Sequence, residues 1–181
     1  MVRIDLENTI EPHFVSEDLT EYSFNSDLRK GKGIAELHVH IKKHPDPLLP
    51  NVYNLAFGPL REDGKINDTI KLEHTDINKI FSTIILFSIT FLRNYPDRSV
   101  GMDGSNEARA YLYHRIIKSN QKELSDYVVC VGVDWYVRLL RNNEVEKDDN
   151  GFAFFKPRPE PFDCDRSTLD LYRYYIISLN Q

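Results

Sequence analysis

The sequence is short of cysteine, of basic charge and of long apolar runs, and each shortage removes a class of function. Two cysteines, Cys130 and Cys164, stand far apart in 181 residues. They build no disulfide framework, and a reducing compartment, the cytoplasm, is expected. Lys and Arg total 23 against 28 Asp and Glu, a net charge of −5. That balance argues against a general affinity for nucleic acid, although a local basic face stays open. The apolar run Ile80–Leu92 is about 13 residues and carries Ser82, Thr83, Ser88 and Thr90, where roughly 20 apolar residues are needed to span a bilayer. A buried helix is therefore expected there, and no membrane partner. The stretch Met1–Phe14 has no apolar core of the signal-peptide kind. Gly-x-Ser-x-Gly, His-Glu-x-x-His and Cys-x-x-Cys are all absent, as are internal repeats and low-complexity tracts, which removes the nucleophile-elbow, zincin and dithiol signatures.

What is present suits a globular protein. Hydrophobic residues make up 41% of the chain, enough for a sizeable core, and the length suits one domain, 1–181. Residues 1–20 alternate weakly and read as an extended arm or edge strand. Ile34–Lys42 alternates clearly: Ala35, Leu37, Val39 and Ile41 face one way, and Glu36, His38, His40 and Lys42 the other. Period two of this kind marks a half-buried strand. Prolines 45, 47 and 50 then force a loop. Val52–Phe57 and Ile66–Glu73 complete an expected antiparallel meander. Thr75 or Asp76 caps a long helix to Asn94 that is apolar almost all round, so it is buried. A second helix is expected over Asn106–Ser119, and a buried strand over Tyr127–Val133. Phe152–Lys156 reads as a strand and the proline-rich Pro157–Pro161 as a stiff linker. Leu171–Leu179 leaves strand and helix in competition; Ser167, with Asp170 three residues on, tilts it towards a short terminal helix. The fold class expected is α+β, an antiparallel sheet of about five or six strands packed against two main helices.

The stretches Tyr53-Asn54-Leu55-Ala56-Phe57-Gly58, Gly104 to Tyr113 (GSNEARAYLY) and Gly151 to Lys156 (GFAFFK) together resemble a group of small uncharacterised proteins from Bacteroidetes-type bacteria. The resemblance covers roughly residues 20 to 156. It implies a bacterial cytoplasmic origin and a compact α+β core, leaves 157–181 as a C-terminal extension, and implies no activity.

Four groups of residues invite chemistry. Gly104, Ser105 and Asn106 lead into the second helix with Arg109 one turn in, a candidate anion site because a helix N-terminus presents unpaired N–H groups; an ordinary capped helix start explains the same residues. Arg109 and His114 share the Arg-x4-His spacing of helical bacterial ribonuclease toxins. In an ideal helix, however, that spacing puts the two side chains about 140° apart, and those toxins are all-helical. His38 and His40 share a strand face and are weak metal candidates that lack the usual zinc spacings. Cys130, inside a Val-rich strand, reads as a small core residue. No cofactor is expected. The 10 tyrosines and 10 phenylalanines crowd the late part of the chain and suit either an interface or a core. The reading these observations favour is a non-catalytic binding or protein-interaction module, partnered by another protein or by itself as a homodimer. The alternative is a nucleic-acid- or phosphate-processing enzyme working from the Gly104–Arg109 helix start.

Overall fold

The computed structural model describes residues 1–67, 70, 72–142 and 144–180. Its elements are β1 (Phe14–Val15), β2 (Glu21–Asp27), β3 (Ile34–Lys43), β4 (Val52–Gly58), α1 (Ile77–Asn94), β5 (Ser99–Asp103), α2 (Glu107–Ser119), α3 (Gln121–Ser125), β6 (Val128–Val137), β7 (Phe155–Pro161) and β8 (Tyr174–Leu179). The fold is α+β, but the sheet has eight strands, in the order β1-β2-β3-β4-β5-β8-β6-β7. It is mixed rather than antiparallel: β4 pairs with β5 in parallel, Leu55 opposite Met102. The reason is α1, whose 18 residues carry the chain back along the sheet before β5 begins.

The alternation in β3 holds in space. Leu37, Val39 and Ile41 are buried beneath α1 together with Tyr22, Phe24, Leu55, Val100, Met102, Tyr175 and Ile177. α1 is capped by Asp76, whose side chain accepts the Lys79 N–H. The polar residues inside its apolar run have a use. Ser82 Oγ accepts the Asp5 N–H and Thr83 Oγ1 the Ile10 N–H, so the N-terminal arm is strapped along the helix. Asn120 closes the strap, accepting the Ile4 N–H at 2.7 Å. A smaller cluster of Leu49, Val52, Val133, Tyr174 and Ile176 lies on the opposite face of the sheet, where the proline-bearing loop after β3 brings Leu49 onto the strands.

Three expectations for the C-terminal third are corrected. Tyr174–Leu179 is a strand, not a helix, and it sits between β5 and β6. Its first four residues are all buried, which an aromatic and β-branched run in a central strand satisfies on both faces. Pro157–Pro161 is not a linker but part of β7, an edge strand paired with β6. Prolines at 157, 159 and 161 lack N–H groups, so the donors of Lys156, Arg158 and Glu160 face β6 and the outer edge presents none beyond Phe155. β6 runs on to Val137, and Val129 is exposed, so that strand is covered on one face only near its start. The fourth strand expected over Ile66–Glu73 falls partly on Asp68, Thr69 and Lys71, which lie outside the described residues; of the remainder, Ile66 makes a single bridge to Leu60. No described helix is long and apolar enough to cross a membrane.

Candidate ligand-binding cleft

At the carboxyl end of the parallel pair, β4 outruns β5. Beyond Leu55, opposite Met102, the residues Ala56–Gly58 have no β5 neighbour. The space left is a cleft of about 790 Å³, within the range of small-molecule sites. The carboxyl ends of strands in open sheets with parallel pairing are where such crevices form. Ala56, Phe57 and Gly58 supply one side, and Asp103, Ser105 and Arg109 come from the β5–α2 junction. Arg173 and Tyr174 enter from the start of β8, Trp135 from β6, and His44 from the loop after β3. The deeper wall is apolar, with Ile80 and Phe81 of α1 and Leu112 and Tyr113 of α2.

Tyr174 organises the polar side. Its ring lies across β5, over Gly101, and its hydroxyl donates to Asn54 Oδ1 on β4. His44 and Trp135 both meet that ring edge-to-face, at 5.3 and 5.9 Å between centroids. Burial pushes the Tyr174 phenol well above its ordinary pKa, and the Asp103 charge pushes the same way, so it stays a donor. His44 Nδ1 accepts the Asp46 N–H at 3.0 Å, which leaves the proton of the neutral ring on Nε2. Burial lowers the His44 pKa, against the opposing pull of Asp46 and Asp103.

The residues of the expected anion site are brought together, but the turn caps itself. Asp103 accepts the Ser105 N–H at 2.8 Å and the Ser105 hydroxyl at 3.0 Å. Asn106 is the N-cap and accepts the Arg109 N–H. Gly104 is buried against Tyr175 and the Arg173 carbonyl, to which its N–H donates. Ser105 and Arg109 line the cleft, whereas Gly104 and Asn106 do not.

His114 lies elsewhere. It is 4% exposed, packs on Phe162, hydrogen-bonds the Cys164 backbone, and is held neutral by burial. The Arg109 and His114 side chains therefore do not meet in the cleft. His38 and His40 do share a face, with ring centroids 6.5 Å apart, yet among the described residues no group of three His, Cys, Asp or Glu is placed to hold a metal. The neighbouring Ser23, His13 and Glu36 look at first like a nucleophile, base and acid. Both Ser23 Oγ and Glu36 Oε1 contact the same ring nitrogen, His13 Nε2, at 2.9 and 2.7 Å. A relay needs one nitrogen for each partner, so this is a structural hydrogen bond, and it holds the Glu36 carboxyl below its ordinary range. Burial pushes the Cys130 thiol up to about 12, which makes it a poor nucleophile. The late aromatics divide: Tyr113, Tyr172, Tyr174 and Tyr175 are core, while Tyr111, Tyr127, Tyr136, Phe152 and Phe155 are exposed.

Compared with known proteins, residues 11–155 match the model of a family of unknown function, DUF6934. The chain belongs to that family. No curated protein and no solved structure matches it. The DUF6934 match takes in β1 to β6, all three helices and the first residue of β7. It thus contains His44, Asn54, Asp103, Ser105, Arg109 and Trp135, while Arg173 and Tyr174 lie beyond it. Sequence reasoning missed His44, Asn54, Trp135, Arg173 and Tyr174 as partners of Arg109. The available signal was the YNLAFG stretch ahead of a long helix and a short strand, the pattern of a parallel crossover.

Proposed function

We propose that this protein binds a small organic molecule in the cleft at the carboxyl end of β4 and β5. The observation that carries the reading is convergence: five separate segments bring polar and aromatic side chains to one opening, backed by an apolar wall. A cleft of this size with few polar groups suits a small ligand better than a nucleic acid, in keeping with the acidic balance of the chain. Two free cysteines, Cys130 and Cys164, support a reducing compartment such as the bacterial cytoplasm. Trp135 is the single tryptophan and lines the cleft, so its emission reports occupancy. Titration with panels of organic acids, amines and nucleosides should give saturable emission changes for at least one class, lost in Ala56→Phe, which fills the cleft from β4. Unchanged emission across all classes, with no shift in thermal midpoint, sinks the reading.

A protein-interaction role is supported by a different observation. The arm between β6 and β7 displays Leu139 and Phe152, and β7 opens on Phe155; they are 66%, 73% and 57% exposed, more apolar surface than such a short excursion needs. Light scattering tests self-association through it: a monomer whose mass is unchanged in Leu139→Ser/Phe152→Ser removes the homodimer.

A further inference from the structure

We infer that the ligand of this cleft is an amphipathic organic anion, with its charged end at Arg173 and its apolar body against Phe57, Phe81 and Leu112. The inference rests on the small-molecule reading above and adds the chemical class. The two ends of the cleft differ in kind. At the β5–α2 end the described ionisable groups are Asp103, Arg109 and Arg173, with His44 beside them. Asp103 is turned into its own loop, both carboxylate oxygens taken by Ser105. Arg173 is exposed, and its guanidinium makes no ion pair among the described residues. At the other end Phe57 and Phe81 meet edge-to-face at 5.6 Å, with Ile80 and Leu112 beside them.

Each end excludes one simple class of ligand. A neutral apolar molecule filling the cleft would strip water from the Arg173 guanidinium and return nothing. An inorganic anion would leave the apolar wall wet and gain only the charge contact. A molecule with an anionic group and an apolar body satisfies both ends, and the edge of the Tyr174–Trp135 pair suits a flat body.

The test uses two probes that share a ring system. Anilinonaphthalene sulfonate carries the anionic group, and N-phenyl-1-naphthylamine is the same skeleton without it. Both accept energy from tryptophan, so transfer from Trp135 reports binding, Trp135→Phe supplies the blank, and Ala56→Phe, which fills the cleft, separates binding there from binding elsewhere. The sulfonate should bind at least about tenfold more tightly, the worth of one charge-assisted hydrogen bond. Arg173→Leu should remove most of that advantage and leave the neutral probe within about twofold. Equal affinity for the two probes overturns the anionic class while leaving the cleft a ligand site. Displacement of the sulfonate probe by inorganic phosphate as readily as by octanoate overturns the apolar half. If neither probe takes energy from Trp135, both this inference and the small-molecule reading fall.

Discussion

Gly101→Ala is the most economical probe of how the cleft is built. A β-carbon at Gly101 would overlap the hydroxyl and Cζ of Tyr174 and lie 2.5 Å from its Cε1. That ring cannot swing aside freely: it is 3% exposed, bonded to Asn54, and flanked by His44 and Trp135. Forcing a methyl under a packed ring costs about 1–3 kcal/mol. Losing the hydroxyl's hydrogen bond adds about 1 kcal/mol. At this chain length about 2–4 °C of Tm accompanies each kcal/mol, so the substitution should lower Tm by roughly 5–15 °C. Urea denaturation gives the free energy directly, and Trp135 emission should shift to the red as its edge contact with Tyr174 opens. The control is Gly101→Ala/Tyr174→Ala. With the ring gone the added methyl has room, so the double variant should be less destabilised than the sum of the singles. A Gly101→Ala protein within about 0.5 kcal/mol of the parent, or strict additivity in the double variant, refutes this account of Tyr174.

Four further outcomes are expected. Burial lowers the pKa of His40, His44, His74 and His114; the unfolded chain therefore binds more protons below about pH 6.5, and stability present above that value is lost as pH falls through the folded values. Urea midpoints should drop from pH 7.5 to 5.5, less steeply in His114→Phe, and a midpoint that rises on acidification contradicts the assignment. Arg166 joins Asp134 at 2.7 Å and Glu160 at 3.1 Å with only 13% of its side chain exposed; Arg166→Met leaves those carboxylates the exposed Arg158 at 3.6 and 3.9 Å and should cost about 1–3 kcal/mol, measured by urea denaturation. Arg98 stacks over Tyr95 at 3.8 Å and Tyr53 at 4.7 Å; Arg98→Ala should cost about 1–2 kcal/mol, whereas Arg98→Lys should recover part of it. Replacing Pro157, Pro159 and Pro161 together by Thr restores N–H donors to the outer edge of β7 and should produce concentration-dependent association by light scattering; a protein that stays dispersed would show that the prolines do not guard that edge.

Much of the helical layer and the first strands was legible because their signals are local. Asp76 was readable as a cap alongside Thr75, the second helix was readable from Asn106, and the period-two pattern of β3 matches its alternating burial. β8 was not legible. A run such as Tyr-Tyr-Ile-Ile suits a strand buried on both faces or a helix, and only the vacancy between β5 and β6 decides between them. β7 misled through its prolines, which usually end strands; their spacing of two, confined to the unpaired side, is what lets the strand form. For the site, the sequence grouped Ser105 and Arg109 at a helix start, and both line the cleft. It could not place Arg173 or Tyr174 beside them, because that neighbourhood exists only once β8 is inserted next to β5.

The insertion of β8 has a kinetic side. Every other strand precedes it in the chain, yet it holds the two halves of the sheet together, pairing with β5 on one flank and β6 on the other. While the chain is being made, β1–β5 and β6–β7 can form as separate pieces, each with a bare inner edge. Those edges, unlike β7's outer one, carry a full set of backbone donors and acceptors, and they stay open to foreign strands until the last element arrives. Folding of this protein is therefore expected to finish late and all at once, and the cleft, lined by Arg173 and Tyr174 at the start of that closing segment, cannot exist before it does.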